Sequence, residues 1–381
     1  MDILLLVIGC FVPTMFLAWL AGHVVRRWAP RLGLVDKPDA RKDHSNPTPM
    51  GGGIAIWFAV SVFLLGALAI ALAAPSAQWL PDVAAKHLPG VATKLGPLLA
   101  LLGGATAMMA LGLVDDIRGL DWRIRLAVEF GVATACVLSQ GEDWQLTAFM
   151  PLPKLAWMVS VLWIVVLINA FNMLDNMDAA SAGIAALAGG ILAAYVLMPA
   201  TSNMPATGNA QPQLFVGGFL CVLCGALVGF LVHNRPPARL FMGDAGSYFI
   251  GFCIAGGTLL ATYTTYDAGV RHAVLAPLCV MAVPLYDMFT VIRIRIKEGR
   301  SVFKADRCHF SHRLTDLGMS RPQAVLTLYL TTGTCGLGAL LLPRVDTIGA
   351  YIVLLLIACI LLLIHILEMT ARRTLTEPPQ S

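Results

Sequence analysis

Long apolar runs broken by short polar stretches set the pattern of this chain. Runs fit to cross a bilayer as helices, roughly 17–25 residues each, lie at 3–22, 51–74, 95–114, 123–139, 155–172, 182–198, 214–232, 247–263, 272–292, 323–342 and 347–367. The pattern predicts an all-α polytopic membrane protein with about eleven transmembrane helices. The fourth run is the odd one. Arg123, Arg125 and Glu129 lie in its first turns, where lipid would not receive them.

Charge placement orients the helices. Met1-Asp2 leads straight into the first run, and Arg26, Arg27 and Arg31 come after it. A secretory signal has the opposite order, so the first run is expected to remain as a span with the N-terminus outside. Eleven spans so oriented place 21 of the 26 Lys and Arg in the inside segments, as the positive-inside rule requires. The expected setting is the plasma (inner) membrane, with the active face toward the cytoplasm.

Composition agrees. Hydrophobic residues make up 58% of the chain and charged residues 13%, against about a quarter charged in soluble domains. One integral-membrane domain over 1–372 with a short cytoplasmic tail over 373–381 is expected. The net charge of +4 is small, and no nucleic-acid partner is expected. Cys221 and Cys224 have CxxC spacing but sit in an apolar run, where small thiols pack.

Every unusual polar stretch falls on the inside. At 33–53, Asp36, Lys37, Asp39, Arg41, Lys42, Asp43 and His44 precede Pro49-Met50-Gly51-Gly52-Gly53. Glycines let backbone N–H groups approach a ligand, and the basic residues could hold phosphate; a loop resting on anionic headgroups is the alternative. At 112–118, Asp115 and Asp116 are adjacent. Such a pair is costly unless a cation or proton sits between them, which suits Mg²⁺ coordination or a base. At 169–178, Asn169, Asn172, Asp175 and Asp178 come at intervals of three. On a helix they would share a slowly drifting face; a capped, solvated helix end would need only one of them.

At 233–247, Pro236 and Pro237 forbid a regular helix, and Gly243-Asp244-Ala245-Gly246-Ser247 opens the next run. A glycine turn before a helix start is a natural phosphate seat. An Asp within it makes sense if a divalent cation bridges carboxylate and phosphate. At 293–322, His309, His312 and Arg313 could bind phosphate, while zinc would want more ligands at closer spacing. Asp287 is a further intramembrane carboxylate with no role legible in the sequence. Together the five clusters are the inventory for a Mg²⁺-dependent reaction on a diphosphate at the membrane surface. A lipid phosphate would need such a site, with its tail in apolar grooves between helices.

The motifs PxGG at 49–52, VDD at 114–116, NxxNxxDxxD at 169–178, FMGDAGS at 241–247 and the His motif at 309–313 are specific jointly. Over 30–320 the chain resembles the polyprenyl-phosphate N-acetylhexosamine-1-phosphate transferase family, sister to phospho-N-acetylmuramoyl-pentapeptide transferase. The resemblance implies transfer of N-acetylglucosamine-1-phosphate, or a related amino-sugar-1-phosphate, from a UDP-sugar to undecaprenyl phosphate. UMP would be released and a cell-envelope polysaccharide begun.

The resemblance also implies residue roles. Asp244 would be the principal Mg²⁺ ligand with Asp116 and Asp175 beside it, and Mn²⁺ is the alternative ion. Asp115, Asp116 and Asp175 would be catalytic carboxylates, with Asp115 or Asp116 a base on the lipid phosphate and Asp175 completing the acidic centre. His44, Asn169, Asn172, Asp178, Asn234, Phe241, His309, His312 and Arg313 would face substrate. Among these, Asn172 and Asp178 would contact the nucleotide, Asn234 and Phe241 the uracil, and His309 and His312 the diphosphate. The implied partners are the UDP-sugar, undecaprenyl phosphate and the bilayer, with a homodimer as the alternative to a single copy.

The chain departs from the family pattern twice. The His motif is commonly HxHHR, and Ser311 replaces one histidine; the DGxDG-like turn reads Asp175-Asn176-Met177-Asp178-Ala179, without its glycines. Both bear on which sugar is used. Two other readings compete. A muramoyl-pentapeptide-type transferase would show a consecutive His run, absent here. An ion-coupled transporter would place carboxylates near the midplane on broken helices, not at one face.

Overall fold

The computed structural model describes residues 2–36, 47–73, 90, 94–144, 152–198, 212–261, 263, 271–304 and 306–376. Helices α1 (Asp2–Trp28), α2 (Gly52–Ala73), α3 (Leu95–Arg118), α4 (Trp122–Gln140), α5 (Pro153–Leu174), α6 (Ala180–Leu197) and α7 (Leu214–Asn234) come first. Then follow α8 (Asp244–Leu260), α9 (Ala276–Val280), α10 (Ala282–Lys297), α11 (Phe310–Asp316), α12 (Arg321–Leu341) and α13 (Thr347–Thr376). The only strands among the described residues are β1 (Val35–Asp36) and β2 (Thr48–Pro49), paired antiparallel with Val35 opposite Pro49. The protein is an all-α polytopic membrane protein.

All eleven apolar runs lie on helix, but they are not equivalent. Among the described residues eight helices are long and apolar enough to cross a membrane, or nine if the segment 272–297, bent by 67° at Met281, is one span. The two runs that fall short are α4 and α8, and each has a physical reason. Two of the charges of α4, Arg125 and Glu129, turn to partners described below, and Arg123 is exposed. The 17 residues of α8 reach about 26 Å at 1.5 Å per residue, short of the ~30 Å hydrocarbon core. That length suffices because α8 never meets lipid: every residue from Ala245 to Leu259 is buried.

Helix α8 is the axis of the fold. It packs against α2, α3, α5, α6 and α7. Two glycines permit the closest approaches. A side chain at Gly53 would strike the backbone of Gly246, and one at Gly112 would strike the Asp244 carbonyl. The start of α2 and the last turns of α3 therefore both abut the first turn of α8. The Pro49–Gly53 stretch is fastened there by backbone pairing: Phe241 N–H donates to Pro49 O (2.9 Å), Gly52 N–H to Phe241 O (2.9 Å) and Gly53 N–H to Met242 O (3.0 Å). The N–H groups of Gly52 and Gly53 thus hold the 241–242 segment, not a ligand as the loop's glycines suggest from sequence.

Candidate active site

The site is built around the first turn of α8. Gly112 lets α3 press on Asp244, and one turn further along α3 come Asp115 and Asp116. Asp116 accepts from Asp244 N–H (2.9 Å) and from Ala245 N–H (3.1 Å). A helix start leaves its first N–H groups without intrahelical partners, and here a carboxylate from another helix takes two of them. The turn that reads as a phosphate seat is thus occupied by Asp116. Gly243 makes this approach feasible: its φ is 76°, and a Cβ there would run into the Asp116 carboxylate.

Asp115 is held equally firmly. Its Oδ2 accepts from Arg125 (2.8 Å) and from Tyr248 Oη (2.9 Å), and its Oδ1 accepts from Leu120 N–H (2.7 Å). Its side chain also stands within hydrogen-bonding reach of Asp244. Two carboxylates this close need a proton or cation between them. Asn172 Nδ2 donates to Asp244 Oδ1 (2.7 Å) and to Ser247 Oγ (3.1 Å). Asn169, one turn back, donates to Glu129 (2.5 Å) and to Val165 O (2.9 Å).

The interval of three does not continue as helix. Leu174 ends α5, and Asp175 and Asp178 lie in the turn 175–179 before α6. Among the described residues none donates a hydrogen bond to the Asp175 side chain. Enclosure pushes its carboxyl up to about 8, and the charges of Asp116 and Asp178 add to the effect. Asp178 accepts from Ala238 N–H (2.9 Å), and Asn234 bridges Ala179 N–H (2.8 Å) and Leu240 O (3.0 Å). These two residues, which the resemblance sets against the nucleotide, clasp the 175–179 turn to the 235–240 loop. Ala179 itself has φ 65°, the left-handed region that favours glycine. Asn234 holds its N–H, and Tyr329 Oη donates to its carbonyl (2.6 Å).

The His motif forms α11 and its approach. Ser311 Oγ donates to Asn176 Oδ1, which ties α11 to the turn carrying Asp175. His309 and His312 are buried. Arg313 is buried too: its guanidinium donates to Cys308 O and to Thr290 Oγ1 (3.0 Å) and pairs with Glu368 (3.2 Å). Phe241 is half-buried, and His44 lies outside the described residues.

Sequence reasoning missed Arg125, Tyr248, Glu129 and Ser247. The signal existed for two of them: Arg125 and Glu129 were the charges that fitted α4 badly as a lipid-facing helix. Ser247 and Tyr248 lie one turn after Asp244 in α8 and look like ordinary helix residues.

The donor set suits a hard divalent cation: carboxylate oxygens of Asp115, Asp116 and Asp244 gather around one helix start, and Asp175 is near enough to feel the charge of Asp116. Among the described residues no group of three or more His, Cys, Asp or Glu side chains is placed to hold a metal ion. Mg²⁺ does not require one, since it is usually held by one or two carboxylates plus phosphates and waters.

Comparison with known proteins agrees with this layout. The model of "Glycosyl transferase family 4" matches residues 98–262, which span α3 to α8. The chain is 31% identical over 340 residues to decaprenyl-phosphate N-acetylglucosaminephosphotransferase of Mycobacterium tuberculosis, covering 85% of this chain and 79% of that protein. It is 26% identical over 359 residues to the probable undecaprenyl-phosphate N-acetylglucosaminyl 1-phosphate transferase of Bacillus subtilis, covering 92% and 89%. It is 25% identical over 345 residues to the undecaprenyl-phosphate alpha-N-acetylglucosaminyl 1-phosphate transferase of Yersinia pestis, covering 87% and 83%. The chain belongs to glycosyl transferase family 4, among its polyprenyl-phosphate sugar-phosphate transferases.

Proposed function

We propose that this protein transfers N-acetylglucosamine-1-phosphate from UDP-N-acetylglucosamine to a polyprenyl phosphate, undecaprenyl phosphate in the first instance. An oxygen of the lipid phosphate forms a bond to the sugar-bound phosphorus, the bond from that phosphorus to the bridging oxygen breaks, and UMP leaves. The products are the polyprenyl diphosphate sugar and UMP. The observation that carries the reading is the meeting of Asp115, Asp116 and Asp244 at the first turn of α8, with Asp175 near enough to feel the charge of Asp116.

The chain's own residues divide the work by how committed they are. Asp116 and Asp115 are fastened by helix N–H groups, Arg125 and Tyr248, so they set the shape and charge of the site. Asp175 is the carboxylate left over, and it is our candidate for the base on the lipid phosphate. Asn172 orients Asp244 so that one carboxylate oxygen is directed by its amide. The His309–His312 segment, moored to the Asp175 turn through Ser311, supplies donors for the diphosphate. Asp244 with Asp175 and Asp116 would hold Mg²⁺, which when bound neutralises charge on the reacting phosphates. Positive-inside charge placement supports a cytoplasmic site in the plasma membrane. The same geometry serves direct attack or a phospho-enzyme route.

The test is UMP release by purified protein in detergent with Mg²⁺, undecaprenyl phosphate and a panel of UDP-sugars. Release with UDP-N-acetylglucosamine that needs both lipid and Mg²⁺ is expected. Release with another sugar alone would keep the reaction class and change the donor. No release from folded protein would overturn the reading.

A further inference from the structure

Asp287 is a buried carboxylate to which the proposed chemistry gives no task. It sits in α10 with 0% of its surface exposed, where an enclosed charge is costly. Its partners are therefore informative. Oδ2 lies 2.9 Å from His309 Nδ1, and Oδ1 accepts from Phe310 N–H at 2.5 Å. Arg313 stands 3.9 Å from Oδ1. Phe310 is the first residue of α11 and His309 its N-cap, extended at φ −71° and ψ 154°, without a side-chain cap of its own. One carboxylate thus fixes both the backbone entering α11 and the ring of His309.

We propose that Asp287 is a positioning residue for the transfer, committing the Nδ1 proton of His309 to its carboxylate so that, when the ring carries both protons, Nε2–H is the donor turned to the diphosphate. This rests on the reading of His309 as a diphosphate ligand. The reasoning is that of donor and acceptor supply. A carboxylate accepts, and its other oxygen is already committed to a backbone N–H that can only donate. The ring must therefore present Nδ1–H to Asp287, and His309 Nε2 has no protein hydrogen bond among the described residues. The arrangement is the usual way a second group sets a histidine's working nitrogen.

Asp287→Asn inverts this logic with almost no change of shape. The amide oxygen must go to Phe310 N–H, so the amide NH₂ faces Nδ1 and the neutral ring moves its proton to Nε2. Selective ¹⁵N-histidine labelling reads this directly, with the His309 signals assigned by their loss in His309→Asn. Wild-type protein at alkaline pH should show the Nδ1–H form, and Asp287→Asn the Nε2–H form. In turnover, KM for UDP-N-acetylglucosamine should rise about fivefold in Asp287→Asn, the difference between a charge-assisted and a neutral hydrogen bond. KM for the polyprenyl phosphate should stay put. Adding Asp287→Asn to His309→Asn should cost nothing further in KM, as for two residues acting as one unit.

A wild-type ring already in the Nε2–H form would overturn the proposal, and that measurement stands even if Asp287→Asn does not fold. A variant with lowered thermal stability and unchanged KM would also overturn it, leaving Asp287 as a brace for α11. The tautomer switch without transfer from any UDP-sugar would uphold the Asp287–His309 assignment while overturning the preceding functional reading, so the two failures are distinguishable.

Discussion

Ser311 hydrogen-bonds Asn176. These are two of the positions at which the chain departs from the family pattern, one in the His motif and one in the acidic turn. They lie 135 residues apart in sequence and meet in the fold. The departures read as one paired change: a hydroxyl has replaced an imidazole, and an amide has replaced a glycine to receive it. Ser311→Ala should lower stability by about 1 kcal/mol, the usual net worth of one such bond. The loss should vanish in an Asn176→Gly background. Thermal unfolding of the four proteins in detergent gives the answer, and additive losses would sink the pairing.

Asp116 caps α8 from outside that helix. Asp116→Ala strips two backbone N–H groups of their acceptor and should cost about 1–2 kcal/mol, as the loss of a strong cap does. Activity should fall below detection, because Asp244 is the residue whose N–H is released. Asp116→Asn keeps one acceptor oxygen and should recover much of the stability but not the turnover. Unfolding midpoint and UMP release, measured on the same preparations, separate the two effects.

Ala179 is held at φ 65° by hydrogen bonds on both sides. An L-residue in that region costs roughly 1–2 kcal/mol. Ala179→Gly should therefore stabilise the protein by up to about 1 kcal/mol, after the extra chain entropy of glycine is counted. Turnover should be retained. A drop in unfolding temperature would show that the methyl group packs usefully.

Asp175 predicts a pH dependence. Its carboxyl is raised to about 8 by enclosure and by Asp116 and Asp178. A raised Asp holds its proton in the fold, so the folded state is penalised as pH climbs from near 4 through 8, and metal-free protein should lose stability across that window. A cation competes with that proton. Mn²⁺ affinity, read from the free-ion signal in electron paramagnetic resonance, should therefore strengthen from pH 6.5 to 8.5 and level off above. Asp175→Asn should flatten the profile.

Much of this was legible in the sequence. Apolar runs located every long helix, though not the short α11, and the carboxylates Asp115, Asp116 and Asp244 do converge. What the runs could not show is which helices face lipid. Hydrophobicity marks α8 as a span, yet α8 is hydrophobic because its neighbours enclose it. Nor could spacing show which polar groups were already spent. The glycines at 52 and 53 looked like ligand-facing backbone and instead pair with Phe241 and Met242. The start of α8 looked open to phosphate and is filled by Asp116. Such commitments depend on contacts between distant segments, to which residue spacing is blind.

The enclosure of α8 also fixes an order in time. Its packing partners α2, α3, α5, α6 and α7 all precede it in the chain, and proteins made on ribosomes assemble from the N-terminus. When Leu260 is synthesised, the cradle for α8 already exists, and Asp115, Asp116, Asp175 and Asp244 have all been made. The histidine segment arrives only with α11, and Glu368, which pairs with its Arg313, later still. The centre is thus laid down in two instalments, an acidic half and then a basic one. A nascent chain halted between them would hold the carboxylates without the residues that meet the diphosphate.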